Sequence, residues 1–482
     1  MMGIGHIING DIVKSTTGNV LKIINPATGD ILDEIDQAGE FEANEAVESA
    51  KKAFLSTSWR KDTNLRARVL LNWAYKIEKN LDELSILLTK ENGKTLLESK
   101  IEIKNAIDTL KFVAGQARLL EGRSLMLGGQ IFSSVIAEPA GVVAIIVPWN
   151  WPILLMIREL GPALAAGNTV VVKPASNTPL TCSKILQLAI LDDEIPKGVI
   201  NSVIGQGNTI GSFLVTNKHT RVISFTGSTE VGKTIASLAG NNIKKVILEL
   251  GGKSPSLLFN DANLEKAIPL LVKYMFGTAG QNCMAVSRVL IEKEIFNKVQ
   301  DLIISEVKKI RVGNGLDPNV QMGPVISKDQ LDKIAYTVNN ASLKFPDNLV
   351  YGGFILQDND YKNGFFYNPT IFSKVPIESD LVQTEIFGPV VSLEIFDEDD
   401  QAIEMANATQ YGLTASIWTS DHNRALYCAS NIQAGTVWIN TYMRTFPETE
   451  SGGMKQSGIG RSRGKAGIYE YMELKNIVSE IF

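Results

Sequence analysis

Three segments rich in glycine and proline each contain one side chain that could take part in a reaction. Cys283 ends the run Phe-Gly-Thr-Ala-Gly-Gln-Asn-Cys, Glu249 lies in Leu-Glu-Leu-Gly-Gly-Lys-Ser-Pro, and Asn150 lies in Val-Pro-Trp-Asn-Trp-Pro. A thiol, a carboxylate and a side-chain amide could supply a nucleophile, a general base and a donor to an oxyanion. A single cysteine in an apolar setting is more often a buried structural residue. The joint presence of the three segments favours the catalytic interpretation.

The remaining cysteines and the histidines offer no alternative chemistry. Cys182 and Cys428 are too few and too scattered to form a disulfide framework or a zinc cluster with Cys283, so no metal site is predicted and a reducing cytoplasm is expected. The three histidines are isolated in the sequence and are interpreted as surface or capping residues: His6, His219 and His422. Cysteine–histidine and Ser-His-Asp arrangements are thereby excluded, and the base must be a glutamate.

Length and composition predict a soluble protein of two or three domains. The chain has 482 residues, of which 44% are hydrophobic and 21% are charged. A formal net charge of −5 offers no basic surface for nucleic acid. No apolar run is long enough for a transmembrane helix, and the N-terminus has no basic region leading into an apolar block, so neither a membrane span nor a secretory signal is predicted.

The first ~115 residues combine strand and turn signals with long amphipathic helices. Residues 25–30, Asn-Pro-Ala-Thr-Gly-Asp, predict a turn between two apolar runs. Apolar residues recur at helical spacing over about 42–55 and about 63–120, and Gly93 is the main interruption of the second stretch.

From Gly141 onwards, short β-branched runs alternate with helical segments. Strands are predicted over 142–147, 169–172, 199–204, 222–225 and 245–249, and helices over 152–166 and about 179–191. Continuous apolar strands between helices predict a parallel sheet covered on both faces, the architecture of dinucleotide-binding proteins. A second α/β region should run from about Gly251 to the mid-440s, with a helix over 264–280 that ends just before Cys283.

Seven motifs together resemble the aldehyde dehydrogenase superfamily over nearly the whole chain. In order along the chain they are Pro-Trp-Asn-Trp-Pro at 148–152, Lys-Pro-Ala-Ser-Asn-Thr-Pro at 173–179, Phe-Thr-Gly-Ser-Thr-Glu-Val-Gly at 225–232, the Glu249 and Cys283 segments, Glu-Ile-Phe-Gly-Pro-Val at 385–390, and Gly-Gly-Met-Lys-Gln-Ser-Gly-Ile-Gly-Arg at 452–461. The resemblance implies an α/β fold with a Rossmann-like NAD(P)-binding domain (1–116 and 140–250), an α/β catalytic domain (251–447) and a small bridging element (117–139 and 457–482). That element would serve assembly into a homo-oligomer, a dimer or a tetramer.

The turn at 227–232 is the candidate phosphate site. Glycine permits close backbone approach, and a helix N-terminus attracts phosphate. Thr229 replaces the middle glycine of the usual dinucleotide fingerprint, so the motif alone could be an ordinary strand–turn–helix corner. The resemblance implies that Gly227, Ser228 and Gly232 form the cofactor turn, with Trp149 near the pyrophosphate.

The residues that follow the strand over 169–172 predict which cofactor the protein uses. By resemblance Lys173 reaches the adenosine ribose and Glu385 hydrogen-bonds the nicotinamide ribose, and Phe387 is also predicted to bind the cofactor. Many NAD-preferring relatives carry a glutamate where this chain has Ser176. A carboxylate there would repel a 2′-phosphate, so its absence beside Lys173 predicts use of NADP, alone or together with NAD. The alternative is that Ser176 is a loop residue with no effect.

The three reacting groups predict oxidation of an aldehyde through a covalent intermediate. Attack by the Cys283 thiolate gives a tetrahedral oxyanion held by Asn150 and a backbone N–H, and loss of hydride to a bound nicotinamide leaves a thioester. Glu249, with a pKa raised by burial, would activate the water that releases the acid. Relatives that pass the acyl group to coenzyme A generally lack this glutamate, so hydrolysis is favoured over the acylating alternative. A non-catalytic protein on the same fold would be expected to lose one of these groups.

The substrate is predicted from the helix after Asn150 and from a late loop. Leu154 and Arg158 lie at helical spacing from the catalytic loop, so they are predicted to line the substrate passage, and a guanidinium there favours a hydroxyl- or carboxylate-bearing tail. The alternative is that Arg158 pairs with a nearby acid. Succinate-semialdehyde enzymes carry a second arginine at the position where this chain has Gly277. Arg444 could compensate for its absence. We expect a small polar aldehyde such as glyceraldehyde or lactaldehyde, with succinate semialdehyde or an aromatic aldehyde as alternatives.

Overall fold

The computed structural model describes residues 3–480, within which fifteen α-helices and twenty-two β-strands are assigned. The two residues at either end, which the predicted cofactor domain and bridging element include, lie outside the described range. The helices are α1 Glu40–Ser56, α2 Thr63–Lys79, α3 Leu81–Asn92, α4 Leu96–Gln116, α5 Pro152–Ala166, α6 Pro179–Ile190, α7 Ser212–Thr216, α8 Thr229–Gly240, α9 Leu264–Phe276, α10 Phe296–Val307, α11 Lys328–Lys344, α12 Asp380–Gln383, α13 Asp399–Asn407, α14 His422–Asn431 and α15 Gly464–Tyr469.

The strands form two large sheets and three small ones. They are β1 His6–Ile8, β2 Asp11–Val13, β3 Val20–Ile24, β4 Ile31–Asp36, β5 Arg123–Leu127, β6 Ile131–Pro139, β7 Val142–Ile146, β8 Thr169–Lys173, β9 Ile200–Ser202, β10 Thr220–Thr226, β11 Lys245–Glu249, β12 Ser254–Leu258, β13 Val286–Glu292, β14 Leu349–Tyr351, β15 Thr370–Ser373, β16 Val390–Phe396, β17 Tyr411–Gly412, β18 Thr414–Trp418, β19 Thr436–Ile439, β20 Met454–Lys455, β21 Gly458–Ile459 and β22 Met472–Glu480.

The first large sheet has the order β2-β1-β9-β8-β7-β10-β11-β21, and its five central strands from β9 to β11 are parallel. Side chains of β7 alternate between two cores. Val143 and Ile145 pack with α2, α4, α5 and α6 on one face, whereas Ala144 and Ile146 pack with α1, α7 and α8 on the other. Burial on both faces explains the continuous apolar run of this strand, and the predicted parallel α/β sheet is confirmed.

The second large sheet has the order β14-β15-β16-β13-β12-β18-β19, and it is parallel except for the β14–β15 pair. The α/β fold class is therefore confirmed in both regions. A separate antiparallel sheet of three strands, in the order β22-β6-β5, joins residues 123–139 to the C-terminal strand.

Two predicted helical segments are wrong in their extent. The stretch 63–120 is divided at Asn80 as well as near Gly93, and its last helix ends at Gln116. The helix predicted over 264–280 ends at Phe276. Beyond it, Thr278 (φ 51°), Ala279 (φ 53°) and Gly280 (φ 68°) adopt left-handed backbone conformations that no continuous α-helix allows.

This left-handed turn is fixed by close packing. A Cβ atom on Gly280 would lie 2.2 Å from the carbonyl oxygen of Gly388, so only glycine fits there. The turn redirects the chain from α9 into the loop that carries Cys283. The nucleophile candidate is therefore presented by a constrained loop rather than by the end of a helix.

Candidate active site

Cys283 lies half-buried in the loop between α9 and β13. Its Sγ donates to Oδ1 of Asn282 at 3.8 Å. Burial raises the pKa of the thiol to about 12, with the Glu385 carboxylate adding to the effect and the Arg158 guanidinium opposing it. The resting thiol is therefore protonated near neutral pH and must lose its proton before it can attack.

Asn150 is buried and faces the loop of Cys283. Its Nδ2 donates to the carbonyl oxygen of Gln281 at 3.1 Å, two residues before the thiol. The amide has a second N–H, which is a donor available to an oxygen at this position. The structure thus brings together two of the three side chains that the sequence singles out.

Glu249 ends β11 and is buried. Its Oε1 has no hydrogen-bond partner among the described residues, and its Oε2 lies 4.0 Å from Nη1 of Arg158. Burial raises the pKa of Glu249 to about 7, with Arg158 opposing this shift and Glu159 adding to it. A carboxyl group with this pKa exchanges protons readily near neutral pH, which suits a general base and matches the predicted raised pKa.

Arg158 is buried in a polar network behind Glu249. Its Nε donates to Oε1 of Glu159 at 2.7 Å, and its Nη2 donates to Oγ1 of Thr226 at 3.2 Å. Glu159 also accepts from three hydroxyl groups: Ser224 (3.4 Å), Ser462 (2.7 Å) and Tyr471 (2.8 Å). Arg158 therefore pairs with a nearby acid, Glu159, as in the alternative that the sequence left open.

Glu385 contacts the backbone that follows Glu249. Its Oε1 accepts from the backbone N–H of Gly252 at 3.0 Å. Burial raises the pKa of Glu385 to about 7, while the Gly252 N–H and the Lys253 ammonium oppose the shift. The neighbouring Phe387 packs edge-on against Trp149 with ring centroids 5.3 Å apart, so the motifs around residues 149 and 387 meet.

The predicted phosphate turn lies where the direction of the first sheet's winding reverses. β8 and β10 flank β7 on opposite sides, which is the kind of position where α/β proteins bind nucleotides.

The contacts of the turn itself begin with Ser228, which caps α8 by accepting from the N–H of Val231 at 3.4 Å. A Cβ on Gly232 would lie 2.4 Å from a methyl carbon of Leu250, so glycine permits the close helix–strand packing. Gly227 donates its N–H to the carbonyl oxygen of Glu249 at 3.0 Å, which ties this turn to the candidate base.

Lys173 and Ser176 lie together at the carboxyl end of β8. Lys173 Nζ donates to the carbonyl oxygens of Pro174 at 2.9 Å and Gly205 at 3.0 Å, and Ser176 Oγ donates to the same Gly205 oxygen at 3.3 Å. Burial lowers the pKa of Lys173 to about 8. An ammonium and a hydroxyl at one strand end, with no carboxylate from residue 176, fit a phosphorylated or free ribose.

A cavity of about 750 Å³ opens between α4, α9 and the loop over residues 441–446. It is lined by three cationic side chains, by aromatic and aliphatic groups, and by no carboxylate among the described residues: Ile101, Asn105, Lys266, Pro269, Leu270, Lys273, Tyr274 and Thr441 to Phe446. Tyr442 in its wall donates its hydroxyl to the carbonyl oxygen of Met284 at 2.9 Å, next to Cys283. Arg444 belongs to this lining, whereas Leu154 and Arg158 do not.

The sequence did not identify the residues that hold the Asn150 loop. Lys94 Nζ donates to the carbonyl oxygen of Asn150 at 2.6 Å and to Oε2 of Glu102 at 2.5 Å. Both side chains are almost fully buried. A lysine and a glutamate eight residues apart carry no recognisable motif, so nothing in the sequence marks this pair.

Comparisons with known proteins agree on one family. The model of the aldehyde dehydrogenase family matches residues 12–477. Betaine aldehyde dehydrogenase of Bacillus subtilis is 38% identical, covering 98% of this chain and 96% of the relative, and human aldehyde dehydrogenase 1A1 is 38% identical over 98% and 94%. A crystal structure of betaine aldehyde dehydrogenase from Staphylococcus aureus in complex with NAD+ superimposes with a TM-score of 0.97, at 35% identity, covering 99% of this chain and 95% of that one. Among the described residues, no helix is both long and apolar enough to cross a bilayer.

Proposed function

The chain belongs to the aldehyde dehydrogenase family, and on that premise we propose that it oxidises a small polar aldehyde to the carboxylic acid with NAD(P)+. Cys283 is the nucleophile, Asn150 the oxyanion donor and Glu249 the general base. The proposal is supported by the contact of Asn150 with the Cys283 loop and by the burial of Glu249, whose pKa is about 7.

The side chains divide the reaction between them. Because the thiol of Cys283 has a pKa of about 12, its proton must leave to solvent as the sulfur attacks. The Asn150 amide, already directed at the Cys283 loop, donates to the oxyanion, an interaction typically worth about 10²–10³ in rate. Glu249 then takes a proton from water to hydrolyse the thioester, so release to water is favoured over release to coenzyme A.

A bound NAD(P)+ supplies the hydride acceptor for this reaction. The residues that would hold it are Trp149, Lys173, Ser176, Gly227, Ser228, Gly232, Glu385 and Phe387. The Staphylococcus aureus relative is an NAD+ complex, which supports a nicotinamide dinucleotide. The hydroxyl of Ser176 beside the Lys173 ammonium further supports acceptance of NADP.

The cavity lining supports the choice of substrate class. Lys266, Lys273 and Arg444 line a space to which no carboxylate of residues 3–480 contributes. Such a surface favours hydroxyl- or carboxylate-bearing aldehydes and disfavours a quaternary ammonium such as that of betaine aldehyde. A hydroxyaldehyde such as glyceraldehyde or lactaldehyde is the first candidate, and succinate semialdehyde, which the same three cations would attract, is the second.

A panel of aldehydes tests this assignment. Glyceraldehyde, lactaldehyde, succinate semialdehyde, benzaldehyde and betaine aldehyde are each assayed with NAD+ and NADP+ by absorbance of the reduced cofactor. The proposal expects the highest kcat/KM for a hydroxyaldehyde and the lowest for betaine aldehyde. The highest kcat/KM for betaine aldehyde would refute the substrate class, and no turnover of any aldehyde would refute the activity.

We also propose that the chain forms a homo-oligomer in the cytoplasm. The sheet β22-β6-β5 leaves seven large apolar side chains exposed: Leu125, Met126, Leu127, Ile131, Leu474, Ile477 and Val478. Contiguous exposed apolar residues favour association with a second copy of the chain. The three cysteines are free, in keeping with a reducing compartment.

A further inference from the structure

The segment Asn92 to Glu102, at the end of α3 and the start of α4, contacts both halves of the active site. At one end, Asn92 Nδ2 donates to the carbonyl oxygen of Trp149 at 2.7 Å, and Lys94 donates to that of Asn150 at 2.6 Å. The oxyanion donor is therefore held through its own backbone.

The carboxylate of Glu102 completes this end. Its Oε1 accepts from the N–H groups of Ile153 at 2.7 Å and Leu154 at 3.1 Å, the first turn of α5, and its Oε2 binds Lys94. The N-cap residue of α5, Trp151, offers no capping side chain, so Glu102 fills that role from another helix. Asn150 thus lies between two backbone regions that are both tied to this segment.

At the other end, Glu98 binds the loop that carries the nucleophile. Its Oε2 accepts from the N–H and hydroxyl of Thr95, both at 2.8 Å, which closes the capping box of α4. Its Oε1 accepts from the N–H of Thr278 at 2.6 Å and from the hydroxyl of Thr278 at 3.2 Å.

Thr278 begins the left-handed turn that aims the Cys283 loop. Left-handed conformations are unfavourable for residues other than glycine, so Thr278 and Ala279 remain there only if neighbouring contacts hold them. The Glu98 carboxylate supplies two such contacts. Gln281, in the same loop, is the residue whose carbonyl oxygen receives the Asn150 amide.

From this geometry we infer that residues 92–102 form a brace that fixes the position of the oxyanion donor relative to the nucleophile, and that Glu98 is a positioning residue for the acylation step. The inference rests on the proposed function. Glu98 touches no reacting atom: it acts through Thr278, as Lys94 and Glu102 act through the backbone around Asn150. A displacement of about 1 Å at such a site can cost about 10²-fold in rate.

The chain offers a closely matched control. Glu42 closes the capping box of α1 with Oε2 on the N–H of Gly39 (2.7 Å), while its Oε1 accepts from the N–H (2.7 Å) and hydroxyl (2.8 Å) of Thr16. The contacts are the same in kind, but none of them reaches a catalytic loop.

The experiment compares Glu98→Ala and Glu42→Ala with the unaltered protein in single-turnover formation of reduced cofactor, together with KM and thermal unfolding. Both variants should unfold at lower temperature. Glu98→Ala alone should slow the single turnover, by about 10- to 100-fold, with the KM for cofactor unchanged. Glu98→Gln, which keeps one acceptor oxygen, should recover part of that rate, and it serves as the test if the alanine variant does not fold.

Two outcomes would overturn the inference, and a third would overturn the proposed function on which it rests. An unchanged single-turnover rate in the Glu98 variants would overturn it, and so would an equal loss of rate in Glu42→Ala, since the effect would then follow from stability alone. Absence of any single turnover in the unaltered protein would overturn the proposed function instead, so the two failures are distinguishable.

Discussion

Replacing Arg158 by methionine tests how the environment of the base is set. Arg158 Nη1 lies 4.0 Å from Oε2 of Glu249, and both groups are buried. With an effective dielectric constant of about 20, a pair of unit charges at this distance interacts by about 4 kcal/mol, or about 3 pH units. Glu159 also pairs with Arg158 and offsets part of its positive charge. We therefore expect the loss of Arg158 to raise the pKa of Glu249 by about 1–2 units.

The direction of the shift follows from the chemistry. Glu249 works as a base when it is deprotonated, and its pKa is about 7, so hydrolysis should accelerate as the pH rises through 7. Loss of the cation stabilises the protonated form, because Glu159 remains nearby, held by Ser462 and Tyr471. In Arg158→Met the rise in the rate of hydrolysis should therefore occur at higher pH.

The assay measures steady-state turnover after the first turnover, from pH 5.5 to 10, with KM for the aldehyde at each pH. Arg424→Met is the control, because Arg424 also binds a carboxylate, Asp399 at 3.1 Å, outside the site. An unchanged pH profile with a raised KM for the aldehyde would refute this reasoning and assign Arg158 to the substrate instead. An equal shift in the control would also refute it.

Two further predictions concern the cofactor and the second sheet. Ser176→Glu places a carboxylate beside Lys173 and should lower the ratio of kcat/KM with NADP to that with NAD, by about tenfold or more; an unmoved ratio would show that Ser176 has no part in the choice of cofactor. Glu394→Ala removes the carboxylate that binds the buried Arg288 at 2.6 and 2.9 Å. It should lower the free energy of unfolding by about 3–5 kcal/mol, measured as a lower urea midpoint. A midpoint within error of that of the unaltered protein would contradict this prediction.

The sequence was sufficient to predict the parallel sheets and to single out Asn150, Glu249 and Cys283, because local patterns mark them. Strand β7 is apolar at every position, and the reacting residues lie in segments punctuated by glycine and proline. These signals depend on neighbouring residues only.

What the sequence could not predict depends on contacts between distant residues. The helix over 264–280 ends early partly because Glu98, 180 residues away, binds Thr278. The capping box from Thr95 to Glu98 could be read from the sequence, but the use of the second carboxylate oxygen could not. Likewise, Glu159, the partner of Arg158, binds Tyr471, which lies 312 residues further along the chain. Helical spacing relates Arg158 only to its neighbours on the same helix, so it could not reveal this network.

The central claim is that Cys283 becomes acylated during turnover. In Glu249→Gln, hydrolysis of the thioester should be slow, so acid-quenched samples given aldehyde and cofactor should carry the mass of the acyl group on the peptide containing Cys283. Accumulation of acid product with no adduct on that peptide, in this variant or in the unaltered protein, would contradict the account.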